Sequence, residues 1–227
     1  MNFTYHGHAC FSIETGGKHL LFDPYIKPNP LAKSVDLKKI PADYILVSHG
    51  HDDHMADALK IAKRTKAMVI ANYEVANWLE KKGARKVHAF NPGGEATFDF
   101  GKVKSVNAIH SSSLPDGSYG GAASGFVVQL RDVNFYYSGD TALTQDMKLI
   151  ADGPKLNFAV LCIGGNFTMG VDDAVRAAGF IGCNEIIGVH YDTFPEIKIN
   201  HAEAEQKFAA GGKRLHLLRV GERRQFV

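Results

Sequence analysis

Hydrophobic and polar positions alternate along two neighbouring segments near the start of the chain. Residues 10–15 alternate, and residues 18–22 alternate again after the pair Gly16-Gly17. This pattern on both sides of a two-residue glycine turn is typical of a β-hairpin. We expect the hairpin to end at Asp23-Pro24, because proline stops the strand and leaves a carboxylate at its tip.

Apolar runs and helical periodicities follow one another along the rest of the chain. The predicted strands are residues 44–47, 67–71, 87–90, 96–100, 103–109, 126–130, 134–137, 158–163, 186–189 and 215–220. The predicted helices are residues 56–64, 72–82, 171–181 and 201–210, two of them with an asparagine as N-cap. This order is typical of the α/β class. No linker is visible, so residues 1–227 are predicted to form one domain with two sheets packed face to face and helices outside.

Two segments have no periodicity and connect these elements. Residues 24–41 carry four prolines, and residues 111–124 are rich in serine and glycine. Loops of this length in a compact domain are usually functional. We expect both of them to form walls of a substrate cleft.

A dense group of potential metal ligands follows the apolar run at residues 44–47. His49, His51, Asp53 and His54 lie within six residues. Neutral imidazole and carboxylate are ligands that zinc and similar divalent ions prefer. Because alternate residues point to opposite sides where a strand turns into a loop, His49 and His51 can share one metal ion. Asp53 and His54, further along the loop, can face a second ion.

Similar side chains lie at the ends of other predicted strands. They are His110, Asp140 and His190, with Asp23 and Asn166 in comparable places. Loops at strand ends carry ligands and chemistry in layered α/β folds. Each residue alone also fits a turn or a surface position, but their recurrence after the histidine-rich motif favours one common site. The remaining histidines (His19, His88, His201 and His216) are predicted to be structural or exposed. For His6 the sequence does not distinguish a structural role from a role in the site.

The chain order His-x-His-x-Asp-His, followed by His, Asp and His, resembles the metallo-β-lactamase superfamily over nearly the whole chain. The resemblance implies a four-layer αβ/βα sandwich, that is, two mixed sheets with helices outside. It also implies a dinuclear centre in which Asp140 bridges the two ions. One ion would be held by His49, His51 and His110, and the other by Asp53, His54 and His190. The β-lactamases themselves generally have cysteine where Asp140 stands, so antibiotic hydrolysis is not expected.

A narrower resemblance rests on five short motifs. They are Gly7-His8-Ala9, Leu21-Phe22-Asp23-Pro24, Ser138-Gly139-Asp140-Thr141, Asn166-Phe167-Thr168-Met169-Gly170 and His190-Tyr191-x-Thr-Phe-Pro. They look similar to the small uncharacterised metal-dependent hydrolases related to L-ascorbate-6-phosphate lactonase. That resemblance implies a class of chemistry without a particular reaction, and it suggests a homo-oligomer.

The predicted function is a dinuclear metal-dependent hydrolase that directs a metal-bound hydroxide at a small polar lactone, ester or phosphodiester. Zinc is the favoured ion, and manganese, nickel or iron also suit these ligands. Asp53 is the candidate for orienting the nucleophile, and His8 and Tyr191 are the candidates for donating a proton to the leaving group. The candidates for orienting the imidazoles, which read equally well as caps and turn residues, are Ser48, Asp23, Asp52 and Thr141.

Three alternatives stay open from the sequence. A phosphodiesterase or nuclease-type hydrolase and an iron-dependent oxygenase can use the same fold, and a non-catalytic scaffold could keep metals for stability. The presence of Asp53, His54 and His190 together favours two ions over a single iron. A structural zinc site is usually rich in thiolates, whereas this motif contains no cysteine.

Composition narrows the class of partner. The 227 residues are 45% hydrophobic and 22% charged, with a net charge of +2. This charge is too small to indicate nucleic acid or an anionic membrane as an obligate partner, so a small-molecule substrate is expected. The three cysteines are odd in number and widely spaced, which favours reduced buried thiols. With no signal-peptide pattern and no apolar run near ~20 residues, a cytoplasmic location is predicted.

Overall fold

The computed structural model describes residues 1–226. In chain order the strands are β1 (Asn2–Gly7), β2 (Cys10–Thr15), β3 (Lys18–Phe22), β4 (Tyr44–Val47), β5 (Met68–Ala71), β6 (Val87–Ala89), β7 (Glu95–Phe98), β8 (Gly101–Asn107), β9 (Ser124–Gln129), β10 (Asn134–Tyr137), β11 (Phe158–Cys162), β12 (Glu185–Val189), β13 (Arg214–His216) and β14 (Arg223–Gln225). The helices are α1 (Asp52–Met55), α2 (Ala58–Thr65), α3 (Tyr73–Lys81), α4 (Lys148–Ala151), α5 (Val171–Phe180) and α6 (His201–Ala210).

The strands form two seven-stranded mixed sheets. The first has the order β14-β1-β2-β3-β4-β5-β6, and the second has the order β13-β12-β11-β10-β9-β8-β7. In each sheet the pairing changes from antiparallel to parallel partway across, at β3–β4 in the first and at β10–β11 in the second. The predicted α/β class and αβ/βα sandwich are therefore confirmed.

Three apolar clusters hold the layers together. The inner faces of the two sheets meet in a core that includes Phe11, Phe22, Phe126, Phe135 and Phe158, all fully buried. A second cluster packs α2 and α3 on the outer face of the first sheet. The third packs α5 and α6 on the outer face of the second sheet. Because the strands bury both faces, they contain long apolar runs, which is why the sequence reveals them.

The direction of the strands brings distant residues to one edge of the sandwich. In the first sheet β1, β3 and β4 run parallel to one another, and in the second β8, β10, β11 and β12 do so. Their carboxyl ends therefore lie at one edge of each sheet. The loops that follow these strands carry the residues singled out in the sequence.

The structure differs from the sequence prediction at the ends of the chain, at one internal strand and in the short helices α1 and α4, which are not among the predicted helices. β1 and β14, which pair with each other, are not among the predicted strands. The predicted strand 215–220 is limited to Arg214–His216, because Leu218 and Val220 pack into the inner core outside any ladder. The predicted strand 103–109 ends at Asn107, so His110 lies three residues beyond it.

Within residues 1–226, no helix has the length and apolar character needed to cross a bilayer.

Candidate metal centre

Three histidines form a first group, defined here as His49, His51 and His110. One ring nitrogen from each lies within 4.8 Å of the others. His49 follows the tip of β4, His51 occupies the N-cap position of α1, and His110 comes from the loop after β8. His49 Nε2 lies 2.9 Å from His51 Nδ1. The strand end and the loop bring two of these rings together locally, while the third comes from the other sheet.

A second group contains Asp53, His54 and His190, joined by His8. One ligand atom from each of these four residues lies within 4.8 Å of the others. Asp53 and His54 lie in α1, which begins directly after the histidine-rich strand end. His190 follows β12 in a left-handed conformation with φ of 57°, and its Nε2 lies 3.7 Å from Asp53 Oδ2. Non-glycine residues in this conformation are uncommon and cluster at functional sites.

Asp140 lies between the two groups. Its Oδ2 atom is 3.6 Å from His110 Nε2 in the first group. The same atom is 3.2 Å from His54 Nε2 and 2.9 Å from His190 Nε2 in the second group. The preceding Gly139 has φ of 57°, and a Cβ there would lie 2.6 Å from the carbonyl oxygen of Ser124. Glycine thus permits the tight turn that carries Asp140 to this position.

Asp23 supports the centre from behind. It is fully buried at the tip of β3. Its Oδ2 accepts hydrogen bonds from His54 Nδ1 at 2.7 Å, from Ser48 Oγ at 2.5 Å and from Tyr137 Oη at 2.5 Å. Its Oδ1 accepts from the Ser48 backbone N–H at 2.7 Å. Asp23 therefore directs His54 Nε2 towards Asp140, as expected of a carboxylate behind a metal-binding imidazole.

The other candidates for orienting imidazoles differ in position. Ser48 Oγ lies 3.0 Å from His49 Nδ1 and so contacts an imidazole of the first group. Thr141 Oγ1 instead accepts a hydrogen bond from the Ile109 backbone N–H, which fixes the loop beside His110. Asp52 is exposed in the first turn of α1, where a carboxylate favours the helix N-terminus.

His8 and Tyr191, the two proton-donor candidates, occupy different environments. His8 is fully buried, and its Nε2 lies 3.1 Å from Asp53 Oδ2. Burial lowers the pKa of His8 to about 4, although Asp53 opposes this shift. Tyr191 packs into the outer core of the second sheet, with its ring 5.6 Å from that of His201. Burial, then the nearby Asp192, raises the pKa of its hydroxyl.

The two groups differ in their electrostatics. Burial lowers the pKa of all three imidazoles of the first group, which keeps their nitrogen lone pairs available at neutral pH. Burial also acts to lower the pKa of His54 and His190, but neighbouring carboxylates, led by Asp140, outweigh it. They raise the pKa of His190 to about 9 and that of His54 well above its usual value. Burial acts to raise the pKa of Asp53 and Asp140, but these histidines hold both values below the usual range.

Several buried polar atoms at the centre suit a cation. Among residues 1–226, His54 Nε2 and Asp140 Oδ1 have no hydrogen-bond partner. His54 Nε2 lies close to Asp140 Oδ2, yet outside hydrogen-bonding geometry. Unpaired buried polar atoms are costly, and the donor set of imidazole and carboxylate is the one that zinc and similar divalent ions prefer. The residues present therefore fit a centre for divalent metal ions.

A cleft of about 490 Å³ opens over the centre. Its lining contains residues of both groups, with Asp140 at the base, and the walls come from four other residues. These are Ser111, Asn166, Phe167 and Phe194. No lysine or arginine of the described chain, residues 1–226, is among the lining residues. Phe167 is 53% exposed, and Phe194 packs against His8 with ring centroids 5.4 Å apart.

Sequence reasoning singled out neither the two phenylalanines nor Tyr137 and Thr193 as site residues. Phe167, Phe194 and Thr193 lie within motifs that carry the family resemblance, and the motifs alone do not indicate their contacts. Tyr137 is the last residue of an apolar strand and reads as core, although its hydroxyl reaches Asp23. Tyr137 ends a strand, and the other three lie in loops that follow β11 or β12, so a place at this edge of the sheet is the signal that they share.

Comparison with known proteins agrees with this geometry. The profile of the Beta-lactamase superfamily domain matches residues 2–190. A metal-dependent hydrolase of the UPF0173 family from Methylacidiphilum infernorum is 52% identical over 222 residues, which cover 98% of each chain. A relative with the same description from Flavobacterium johnsoniae is also 52% identical, again over 98% of each chain.

A solved structure of a metallo hydrolase from the hyperthermophilic archaeon Ignicoccus hospitalis superposes with a TM-score of 0.89. It is 31% identical in sequence, and the match covers 100% of this chain and 99% of that one. The relation to L-ascorbate-6-phosphate lactonase in particular stays a prediction. By profile, sequence and fold, the chain belongs to the beta-lactamase superfamily, as a member of its UPF0173 metal-dependent hydrolases with the metallo-β-lactamase fold.

Proposed function

We propose that this chain is a dinuclear metal-dependent hydrolase of small polar molecules. The observation that carries the proposal is the position of Asp140, whose Oδ2 lies within 3.6 Å of imidazole nitrogens from both groups. A carboxylate can give one oxygen to each of two ions, so Asp140 is suited to bridge them. In this proposal the first ion is held by His49, His51 and His110, and the second by Asp53, His54 and His190.

A pair of divalent ions, zinc being favoured, would lower the pKa of a shared water towards ~7 and polarise the scissile group of the substrate. Asp53, which lines the cleft, would orient the nucleophile through its carboxylate. Asp23 and Ser48 hold His54 and His49 in the tautomers that leave Nε2 facing the centre. The rigid strand ends keep these side chains in place before the substrate arrives.

The lining of the cleft supports a small substrate with an apolar part. Phe167 and Phe194 offer apolar surface for a substituent of the substrate. A cleft of about 490 Å³ suits a small molecule better than a nucleic acid. The proposed substrates are therefore small lactones, esters and phosphodiesters, since two divalent ions can polarise each of these scissile groups.

Elemental analysis of protein purified without added metal, joined to a substrate panel, tests the proposal. We expect two ions per chain and turnover of at least one lactone, ester or phosphodiester. His110→Ala should lower the affinity for the first ion, and His190→Ala should lower the affinity for the second. His19→Ala serves as the matched control, because His19 is a half-buried histidine on β3. One ion per chain would contradict a dinuclear centre. Oxygen uptake by iron-loaded protein, without hydrolysis of any probe, would instead indicate an oxygenase.

The proposed setting is a homo-oligomer in the cytoplasm. Cys10, Cys162 and Cys183 are free thiols and buried, which is compatible with a reducing compartment. The oligomer is proposed from the family resemblance alone. Sedimentation of the purified protein tests it, and a monomer at micromolar concentration would contradict it.

A further inference from the structure

We propose that His8 is a ligand of the second metal ion, so that eight side chains, and not seven, form the centre. The inference rests on the proposed dinuclear site and adds a residue to it. His8 lies in the turn between β1 and β2, at the same edge of the first sheet as Asp23 and His49. One of its ring nitrogens belongs to the group of four atoms that lie within 4.8 Å of one another.

His8 is anchored in the same way as two other imidazoles of the centre. His54 Nδ1 is held by Asp23, and His49 Nδ1 is held by Ser48. His8 Nδ1 is held by Thr193 Oγ1 at 2.9 Å, in a buried contact. In all three residues an oxygen behind the ring contacts Nδ1, and in His8 and His54 the Nε2 atom faces a carboxylate of the centre. Such anchoring of the far nitrogen is characteristic of metal-binding histidines.

The contacts of Thr193 allow His8 to present a free lone pair on Nε2. Thr193 Oγ1 lies 3.3 Å from the Tyr191 carbonyl oxygen and 2.9 Å from His8 Nδ1. When the hydroxyl donates to that carbonyl, its oxygen accepts a hydrogen bond from His8 Nδ1–H. In this neutral tautomer Nε2 carries a lone pair and no proton. His8 Nε2 and Asp53 Oδ2 are then two acceptors side by side, which a shared cation would hold together.

The spacing of the atoms agrees with a shared ion. Zinc binds nitrogen and oxygen ligands at about 2.0–2.2 Å, so neighbouring ligand atoms on one ion lie roughly 3.0–3.5 Å apart. His8 Nε2 and Asp53 Oδ2 are 3.1 Å apart, and Asp140 Oδ2 lies 2.9 and 3.2 Å from His190 Nε2 and His54 Nε2. His8 extends the same pattern of distances on the side of Asp53.

The backbone around His8 is built to keep the ring in this place. His8 has φ of 56°, an uncommon conformation for a residue with a side chain. Its carbonyl oxygen accepts a hydrogen bond from the His190 backbone N–H at 2.9 Å, which ties the two sheets together beside the second ion. The Tyr5 hydroxyl donates to the same carbonyl at 3.0 Å. A buried turn with strained backbone, whose carbonyl accepts two hydrogen bonds, is explained if the His8 side chain has a function at this position.

Nitrogen-15 NMR of histidine-labelled wild-type protein, loaded with cadmium-113, tests the inference on the unaltered metal centre. We expect coupling of the ring Nε2 of His8 to the cadmium that also couples to His54 and His190. Comparison with the His8→Gln spectrum assigns the signal. If two cadmium ions bind and His8 Nε2 carries a proton with no coupling, the inference is wrong while the dinuclear proposal stands. If only one ion binds, or none, the dinuclear proposal itself fails.

Chelator competition on His8→Gln and on two Thr193 variants distinguishes a metal ligand from a hydrogen-bond donor. Glutamine at position 8 can still donate a hydrogen bond to Asp53. If His8 is a ligand, His8→Gln should lower the affinity for the second ion more than ~100-fold. Loss of a residue that only hydrogen-bonds to a ligand typically lowers metal affinity ~10–100-fold. Thr193→Val should fall within that smaller range, and Thr193→Ser should restore wild-type affinity. Unchanged affinity in His8→Gln, with two ions bound, would overturn the inference.

Discussion

Replacing Asp23 by asparagine is expected to damage the second metal site without touching any proposed ligand. Asparagine matches aspartate in shape, so the turn at the tip of β3 is preserved. The carboxylate, however, accepts four hydrogen bonds at once, three of them on Oδ2. In Asp23→Asn an NH₂ group takes the place of one oxygen. The amide oxygen keeps the Oδ2 position, where three donors converge, so the NH₂ group faces the Ser48 backbone N–H as donor against donor.

His54 Nδ1–H then bonds to a neutral amide oxygen, which raises the basicity of His54 Nε2 less than a carboxylate does. We therefore expect affinity for the second ion to fall ~10–100-fold, as for other outer partners of metal ligands. The metal-free protein should also lose stability. The Ser48 backbone N–H and the new amide N–H that faces it are left unpaired, at roughly 1–3 kcal/mol each.

Chelator competition measures the first effect, and urea unfolding of the metal-free protein measures the second. Asp43→Asn is the matched control, because Asp43 accepts a single hydrogen bond near the surface, from the His19 backbone N–H. Its metal affinity should equal that of the wild type. Wild-type affinity for both ions in Asp23→Asn would refute the role given to Asp23. Loss of stability alone, with metal binding intact, would reduce Asp23 to a structural residue.

Three further predictions concern the cleft, the pH dependence and the Gly139 turn. Phe167→Ala should raise KM about 10-fold for substrates with a large apolar substituent. This factor corresponds to the free energy of burying roughly half a phenylalanine side chain. Leu149→Ala, which alters an exposed side chain outside the cleft, should leave KM unchanged. Burial lowers the pKa of His6 to about 4 in the folded protein, against about 6.5 in the unfolded chain. As pH falls from 6.5 towards 4, the unfolded chain takes up a proton that the folded protein does not, so the free energy of unfolding decreases. Over that pH interval the free energy of unfolding of metal-free His6→Gln, measured in urea, should therefore fall by about 3 kcal/mol less than that of the wild type. An equal loss in both proteins would contradict this assignment. Gly139→Ala should destabilise the protein by about 1–3 kcal/mol, because alanine is strained at positive φ and its methyl group meets the Ser124 carbonyl oxygen. Thermal unfolding at wild-type midpoint would show that the turn relaxes at no cost.

Local patterns are sufficient to single out most of the residues that the fold brings together at the candidate centre. The histidine-rich segment stands out because its candidate ligands are neighbours in sequence and follow an apolar strand. His110, Asp140 and His190 are singled out by the same position after apolar strands, although the strand before His110 ends three residues earlier. That these residues bind metal stays a prediction.

The supporting contacts were not predictable, because they join residues that are far apart in sequence. Thr193 and His8 are separated by 185 positions, and Tyr137 and Asp23 by 114. Nothing local distinguishes a tyrosine whose hydroxyl reaches a buried carboxylate from one that only fills the core. The pairing of β1 with β14 was missed for the same reason, since it joins the two ends of the chain.

The most direct test of the central claim is anomalous diffraction from crystals of the zinc-loaded protein, collected on both sides of the zinc absorption edge. We predict two peaks on opposite sides of Asp140, one beside the first group and one beside the second. A single peak at full occupancy, or two peaks that Asp140 does not separate, would contradict the dinuclear centre.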